Sequence, residues 1–141
     1  MGLDQAVTHL VAGVGFRHAT QPKEIAALVR AALEAAGADP GDLRALATAS
    51  DRAGEPAVVR AARLLGVALV AIAPADLIAV DDRVPTRSAR IAASRGVGSV
   101  AEAAALAAAG AGGRLVVARM VGAGATCALA SVPVSGQSPS P

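Results

Sequence analysis

The chain has 141 residues, of which 54% are hydrophobic, a length and composition that predict one compact domain with its own core. Phe16 is its one aromatic residue, so aromatic stacking on single-stranded nucleic acid is not expected. The net charge is +2 without runs of basic residues, which weighs against a duplex-binding patch, and a single cysteine excludes an internal disulfide.

The chain opens with a predicted strand, helix and second strand. Residues 9–14 form an apolar run that ends in glycine and predicts a buried strand. Apolar residues then recur at helical spacing over 25–36, which predicts a helix with Thr20 as its N-cap and Gly37 at its end. After a turn, the apolar run 43–49 predicts the second strand.

A second helix and a third strand follow. The polar loop 50–54 precedes Glu55 and Pro56, which open a helix that ends at Gly66. The inner face of this helix is expected to contain Val58, Val59, Ala62 and Leu65. Residues 67–73 are apolar throughout, a pattern typical of a strand that is covered on both faces.

Short helices occupy the next part of the chain. Residues 74–77 predict a helical turn, and the polar loop 81–88 leads to a short helix that ends at Ala93. Ser99, followed three residues later by Glu102, has the capping-box pattern of a helix start. This last helix is expected to run through alanines to Gly110.

The final apolar runs, 115–118 and 126–132, predict two strands of a hairpin joined by the linker 122–124. Strands that alternate with helices predict an α/β fold. We expect a three-layer α/β/α sandwich around a mixed, mostly parallel five-stranded sheet with a C-terminal β-hairpin.

The sequence also predicts a soluble, cytoplasmic protein. No apolar stretch reaches the about 20 residues that a membrane helix needs, and residues 1–8 do not resemble a signal peptide. A single domain is expected over 9–132, with an N-terminal extension at 1–8 and a disordered tail at 133–141. The two histidines and the cysteine have no metal-ligand spacing, so neither a metal nor a cofactor is predicted.

The turn Gly13-Val14-Gly15 raises the question of a nucleotide site. A dinucleotide fingerprint needs a third glycine, but His18 and Ala19 stand in that part of the turn, and the chain has no P-loop sequence. Glycines let a backbone approach a ligand and helix starts attract anions, so segments 13–20 and 96–99 are candidate anion sites. Taken alone, each segment is better explained as a turn or a helix cap.

Four stretches carry a family resemblance through their order and spacing: GVGFRHAT (13–20), TASDRAGEPAVV (48–59), GVGSVAEAAAL (96–106) and GAGATCALA (122–130). They resemble the cobalamin-biosynthesis family formed by CobE and the C-terminal domain of CbiG. That family commonly has cysteine where Phe16 stands, often glycine at Ala19 and usually lysine at Arg52. No role that needs a thiol is therefore expected at position 16.

The resemblance implies an α/β/α sandwich that takes part in building the corrin ring. CbiG-type proteins, which carry further domains, open a lactone on a cobalt-precorrin and release acetaldehyde. A single-domain chain looks like the CobE type of the aerobic route. The hypothesis is therefore a protein that binds or carries a carboxylate-rich precorrin, with other pathway enzymes as further partners and with neither nucleic acid nor membrane as a partner. Two alternatives stay open: a precorrin hydrolase or lyase, and an accessory subunit without a ligand.

On this hypothesis, arginines, hydroxyls and backbone amides converge on the carboxylates of the macrocycle. The predicted ligand-binding residues are Gly13, Gly15, Arg17, Thr20, Arg52, Glu55, Gly96, Gly98, Ser99, Gly124 and Thr126. Arg17 and Thr20 would bind one carboxylate, Arg52 a second, and Ser99 with the amides that follow Gly96 and Gly98 a third. The hairpin would let the ring lie close to backbone. No catalytic residue is predicted.

Structural alternatives exist for several of these residues. Thr20 can cap its helix, and Ser99 can form a capping box with Glu102. Glu55 suits the first turn of a helix or a pair with Arg52, and Thr126 can pair across the hairpin. Arg17 and Arg52 are the exceptions, because arginines in loops have no evident capping or core task.

Overall fold

The structure, a computed structural model, describes residues 9–133, except for the side chain of Ser94. The extension predicted at 1–8 lies outside these residues, as does the predicted tail beyond Pro133. Five strands form one sheet: β1 (Leu10–Phe16), β2 (Leu43–Ala49), β3 (Ala68–Ile72), β4 (Arg114–Val121) and β5 (Ala125–Ser131).

The strand order is β3-β2-β1-β5-β4. Strand β1 pairs in parallel with β2, which pairs in parallel with β3. Strand β5 is antiparallel to both β1 and β4, so it alone runs against the other four strands of this sheet. The mixed, mostly parallel sheet with a C-terminal hairpin is confirmed.

Helices cover both faces of the sheet, which confirms the three layers. One face carries α1 (Pro22–Ala35) and α2 (Pro56–Leu65). The other carries α3 (Pro74–Ala79), α4 (Ala89–Arg95) and α5 (Val100–Ala109). Short 3₁₀ turns lie at Pro40–Asp42 and Asp81–Arg83. Among the described residues, no helix is long and apolar enough to cross a membrane.

Helix α5 lies against the centre of the sheet because both surfaces are made of very small residues. A Cβ atom on Gly13 of β1 would fall 2.0 Å from the Ala101 carbonyl oxygen and 2.5 Å from the Ala105 nitrogen. Glycine is therefore required at position 13 so that the helix backbone can approach the strand. The predicted turn Gly13-Val14-Gly15 is therefore wrong, since these residues lie within β1, and Gly13 has a packing role.

Strand β3 does not have the coverage that its composition predicts. It forms one edge of the sheet, where Ala68 and Ala71 are exposed and only Ile72 is buried. The prediction of a strand covered on both faces is therefore wrong. An apolar run does not encode whether a strand is central or at an edge.

Three local predictions also need correction. Gln21, not Thr20, is the N-cap of α1, and its N–H donates to the Glu24 carboxylate at 2.8 Å. The buried face of α2 is Ala57, Val58, Ala61 and Ala62, while the predicted Val59 and Leu65 are only half-buried. Strand β4, predicted to end at residue 118, continues past Arg119 to Val121.

Candidate functional site

A cleft of about 480 Å³ opens where β1 and β2 end. Its walls come from five parts of the chain: residues 15–17, residues 48–52, α4, the start of α5, and the β4–β5 hairpin. Strands β2 and β3 lie next to β1 towards one edge of the sheet, and β5 and β4 lie towards the opposite edge. The cleft therefore lies at the carboxyl ends of parallel strands beside the point where the strand order reverses, which is where open α/β sheets bind ligands.

Six of the predicted site residues line this cleft: Gly15, Arg17, Arg52, Ser99, Gly124 and Thr126. The segments 13–20 and 96–99, which are far apart in sequence, thus contribute to one cavity. A Cβ atom on Gly15 would lie 3.0 Å from Thr126 Oγ1, so glycine keeps the wall open at this position.

The other five predicted residues lie outside the cleft walls: Gly13, Thr20, Glu55, Gly96 and Gly98. Thr20 donates its hydroxyl hydrogen to the Gly124 carbonyl at 2.6 Å and so ties the first loop to the hairpin. Gly96 ends α4 with a φ of 75°. A Cβ on Gly98 would lie 2.3 Å from the Thr86 carbonyl oxygen, and the Gly98 N–H already donates to Asp81 at 2.9 Å.

Five arginines line the cleft: Arg17, Arg52, Arg90, Arg95 and Arg119. No acidic side chain is among its described lining residues. Sequence reasoning missed the last three arginines. Arg119 carried a signal, because it is a charged residue with apolar residues on both sides, whereas nothing in the sequence indicates that α4 folds towards the cleft.

Arg52 is held in place by two neighbours. Its guanidinium carbon lies 4.4 Å from the centre of the Phe16 ring, a cation–π contact. The same guanidinium donates to Glu55, whose Oε1 lies 3.4 Å from His18 Nδ1. The hydrogen bond from Arg52 lowers the pKa of Glu55. The predicted alternative of a pair between Glu55 and Arg52 is therefore confirmed, and Arg52 has a structural role that its position in a loop did not indicate.

Arg95 is also paired, with a carboxylate from the loop that follows β2. Its Nη1 donates to Asp51 Oδ1 at 2.7 Å, and this hydrogen bond lowers the pKa of Asp51. Asp51 therefore stays ionised at neutral pH and offsets the charge of Arg95.

Arg17 and Arg119 differ from the paired arginines because their guanidinium groups have no hydrogen bond or ion pair with any described residue. Their backbones are nevertheless fixed. The Arg17 N–H donates to the Gly124 carbonyl at 2.9 Å, and the Arg119 N–H donates to Glu102 Oε2 at 2.8 Å. The main chain is thus fixed at both positions, while the two guanidinium groups have no such partner among the described residues.

Glu102 has a larger role than the capping box predicts. Ser99 Oγ accepts from the Glu102 N–H at 3.3 Å, so Ser99 does cap α5. The Glu102 side chain, however, does not return to Ser99 but is fully buried. It accepts from the Thr86 N–H and the Thr86 hydroxyl, each at 2.9 Å, as well as from Arg119. Glu102 thereby joins α5, the loop before α4 and β4 behind the cleft.

The chemistry available at the cleft is that of anion binding. Charged donors surround a floor of small residues and backbone, and the start of α5 adds the positive end of its dipole. Cys127 is not a ready nucleophile, because burial raises its pKa to about 12. Within residues 9–133, no group of three or more His, Cys, Asp or Glu side chains is placed to hold a metal ion.

Comparison with known proteins gives consistent matches. Residues 10–130 match the family model of the cobalamin synthesis G C-terminus. Protein CobE from Sinorhizobium sp is 41% identical over 121 residues, which are 86% of this chain and 79% of that protein.

Solved structures agree in fold and in sequence. The crystal structure of CobE, a protein from the cobalamin (vitamin B12) biosynthetic pathway, superposes with a TM-score of 0.82 at 34% identity, covering 89% of this chain and 92% of that one. The cobalamin biosynthesis protein chiG from Agrobacterium tumefaciens str. C58 gives a TM-score of 0.68 at 41% identity, covering 86% and 96%.

Proposed function

Because this chain belongs to the family of the cobalamin synthesis G C-terminus, as a cobalamin-biosynthesis protein of the CobE type, we propose that its cleft binds a carboxylate-rich precorrin and carries it between pathway enzymes. One observation carries this proposal: five arginines and no acidic side chain line the described walls of one cleft. We place this function in the cytoplasm.

The geometry suits a ligand with acidic groups around an apolar ring. Guanidinium groups bind carboxylates with two parallel hydrogen bonds, and Arg17 and Arg119 have no carboxylate partner of their own among the described residues. The cleft volume of about 480 Å³ lies in the range of small-molecule sites, about 300–1,000 Å³. A macrocycle would lie with one edge in the cleft and its acidic side chains towards the arginines.

Binding without chemistry is favoured over hydrolysis by the state of the nearby carboxylates. A hydrolase needs a general base within reach of its water or nucleophile. Asp51 and Glu55 are paired with arginines that lower the pKa of each, which makes them weak bases. Glu102 is buried and uses both oxygens as acceptors, and His18 lies outside the cleft lining.

The test is a titration with dicyanocobyrinic acid, a corrin with free peripheral carboxylates whose cobalt is capped on both sides by cyanide. The probe absorbs strongly in the visible, where a polypeptide does not absorb, so the change in its visible spectrum reports binding. We expect Arg17→Ala and Arg119→Ala each to weaken binding about tenfold, or about 1.4 kcal/mol, because each removes charge-assisted hydrogen bonds.

Arg60→Ala is the matched control, because Arg60 is exposed on α2 and lies outside the cleft walls. It removes the same charge and should leave the affinity within twofold. Equal losses in all three variants would indicate only non-specific attraction to a cationic surface. No binding by the wild-type protein would refute the proposal, and a changed ligand mass after incubation would indicate catalysis instead of carriage.

A further inference from the structure

The ion pair between Asp51 and Arg95 makes Arg95 chemically different from the cleft arginines Arg17 and Arg119. Asp51 lies in the loop between Ala49 and Arg52, both of which line the cleft. The Asp51 side chain is 60% exposed, whereas that of Arg95 is 23% exposed. Arg95 lines the cleft, and its charge is already offset by the more exposed carboxylate of Asp51.

The charges of Arg17 and Arg119, in contrast to that of Arg95, are not offset by a carboxylate within the described part of the chain. Neither guanidinium has a carboxylate partner among the described residues, and both line the same cleft as Arg95. A ligand carboxylate that reaches Arg17 or Arg119 adds a new ion pair. A ligand carboxylate that reaches Arg95 must instead displace Asp51 or accept repulsion from it.

An uncharged carboxamide avoids this conflict. Its carbonyl oxygen can accept one of the further N–H donors of Arg95, since a guanidinium has five and the bond to Asp51 uses one. Its NH₂ group can donate to the carboxylate of Asp51. The Arg95–Asp51 pair then stays intact, and both polar groups of the carboxamide have a partner.

We propose that Asp51 is a specificity-determining residue, which selects an uncharged hydrogen-bonding group such as a carboxamide beside Arg95, while Arg17 and Arg119 bind carboxylates. The ligand class is then a ring that carries both acid and amide side chains. This inference rests on the proposed function and refines it.

The experiment compares two probes in three proteins. The probes are dicyanocobyrinic acid, with peripheral acids, and dicyanocobinamide, with peripheral amides. The proteins are the wild type, Asp51→Asn and the control Asp82→Asn. Asp82 is also exposed, lies outside the cleft walls and makes no hydrogen bond or ion pair with a described residue, so the two variants change the net charge equally.

We expect Asp51→Asn to tighten binding of the acid probe about fivefold, which corresponds to about 1 kcal/mol and fits an exposed ion pair. The affinity for the amide probe should not rise, so the preference for amide over acid falls about fivefold. Asp82→Asn should leave that ratio unchanged.

An unchanged ratio in Asp51→Asn, or an equal change in Asp82→Asn, would overturn the role of Asp51 while leaving the proposed function standing. If the wild-type protein binds neither probe, the proposed function is overturned, and the inference with it.

Discussion

Replacement of Glu102 by glutamine tests whether the buried carboxylate holds the cleft together. One oxygen of Glu102 accepts from the Thr86 N–H, and the other accepts from the Thr86 hydroxyl and the Arg119 N–H. Glutamine keeps one oxygen and replaces the other by an NH₂ donor. If the oxygen faces Arg119, the NH₂ group meets the Thr86 N–H. If the oxygen faces the Thr86 N–H, the NH₂ group takes the place of the other oxygen and the Arg119 N–H loses its acceptor. One backbone donor is therefore unsatisfied in either orientation.

The size of the effect follows from this count. A buried donor that loses its acceptor costs about 1–3 kcal/mol. For a chain of 141 residues, 1 kcal/mol corresponds to about 3–5 °C in Tm, so we expect Glu102→Gln to melt about 3–15 °C below the wild type. Glu102→Ala removes every acceptor at this position and should lower the stability further.

Thermal unfolding followed by circular dichroism measures this shift, because the chain has no Trp or Tyr for fluorescence. Glu34→Gln is the matched control, since Glu34 is exposed on α1 and should change Tm by no more than about 1 °C. A Glu102→Gln protein that melts within about 1 °C of the wild type would refute the hydrogen-bond network as described.

Two further predictions concern the core. Gly13→Ala should destabilise the protein by about 3 kcal/mol or more, because the added methyl group meets backbone atoms of α5 at 2.0 and 2.5 Å, whereas Gly54→Ala, with no atom within 4 Å, should be nearly neutral in chemical denaturation. Cys127 should react with a thiol reagent at pH 8 only after unfolding. Since burial raises its pKa from 9.0 to about 12, stability should fall by about 1.4 kcal/mol per pH unit as the pH rises above 9, and a Cys127→Ala protein that loses stability equally would contradict this cause.

Local sequence signals for turns and helix ends explain why most of the fold could be predicted. Residues 43–49 coincide with β2 because a proline-glycine turn precedes the apolar run and a polar loop follows it. Gly37 and Gly66 both adopt positive φ, 68° and 71°, just after α1 and α2, where a glycine terminates a helix. These signals act within a few residues, so one sequence is sufficient to detect them.

The errors arise where distant parts of the chain meet. The requirement for glycine at position 13 depends on α5, about ninety residues later in the sequence. The edge position of β3 depends on the strand order, which an apolar run of ALVAI does not contain. The pairing of Arg95 with Asp51 joins residues that are 44 positions apart. None of these contacts leaves a periodic pattern in the sequence.

The predicted end of the fourth strand is the most informative error. The apolar run stops before Arg119, yet β4 continues because Met120 and Val121 still pair with β5. Arg119 lies in the register irregularity between Val117 and Met120, and its N–H donates to Glu102. The two residues that broke local rules, an arginine between apolar residues and a buried glutamate, thus belong to one structure at the cleft. Local rules fail most often where a fold accepts a cost for function. A merely structural role for Arg119 would give its guanidinium a partner, but among residues 9–133 it has none. This fits the proposed role of Arg119, together with Arg17, in binding the carboxylates of a ligand.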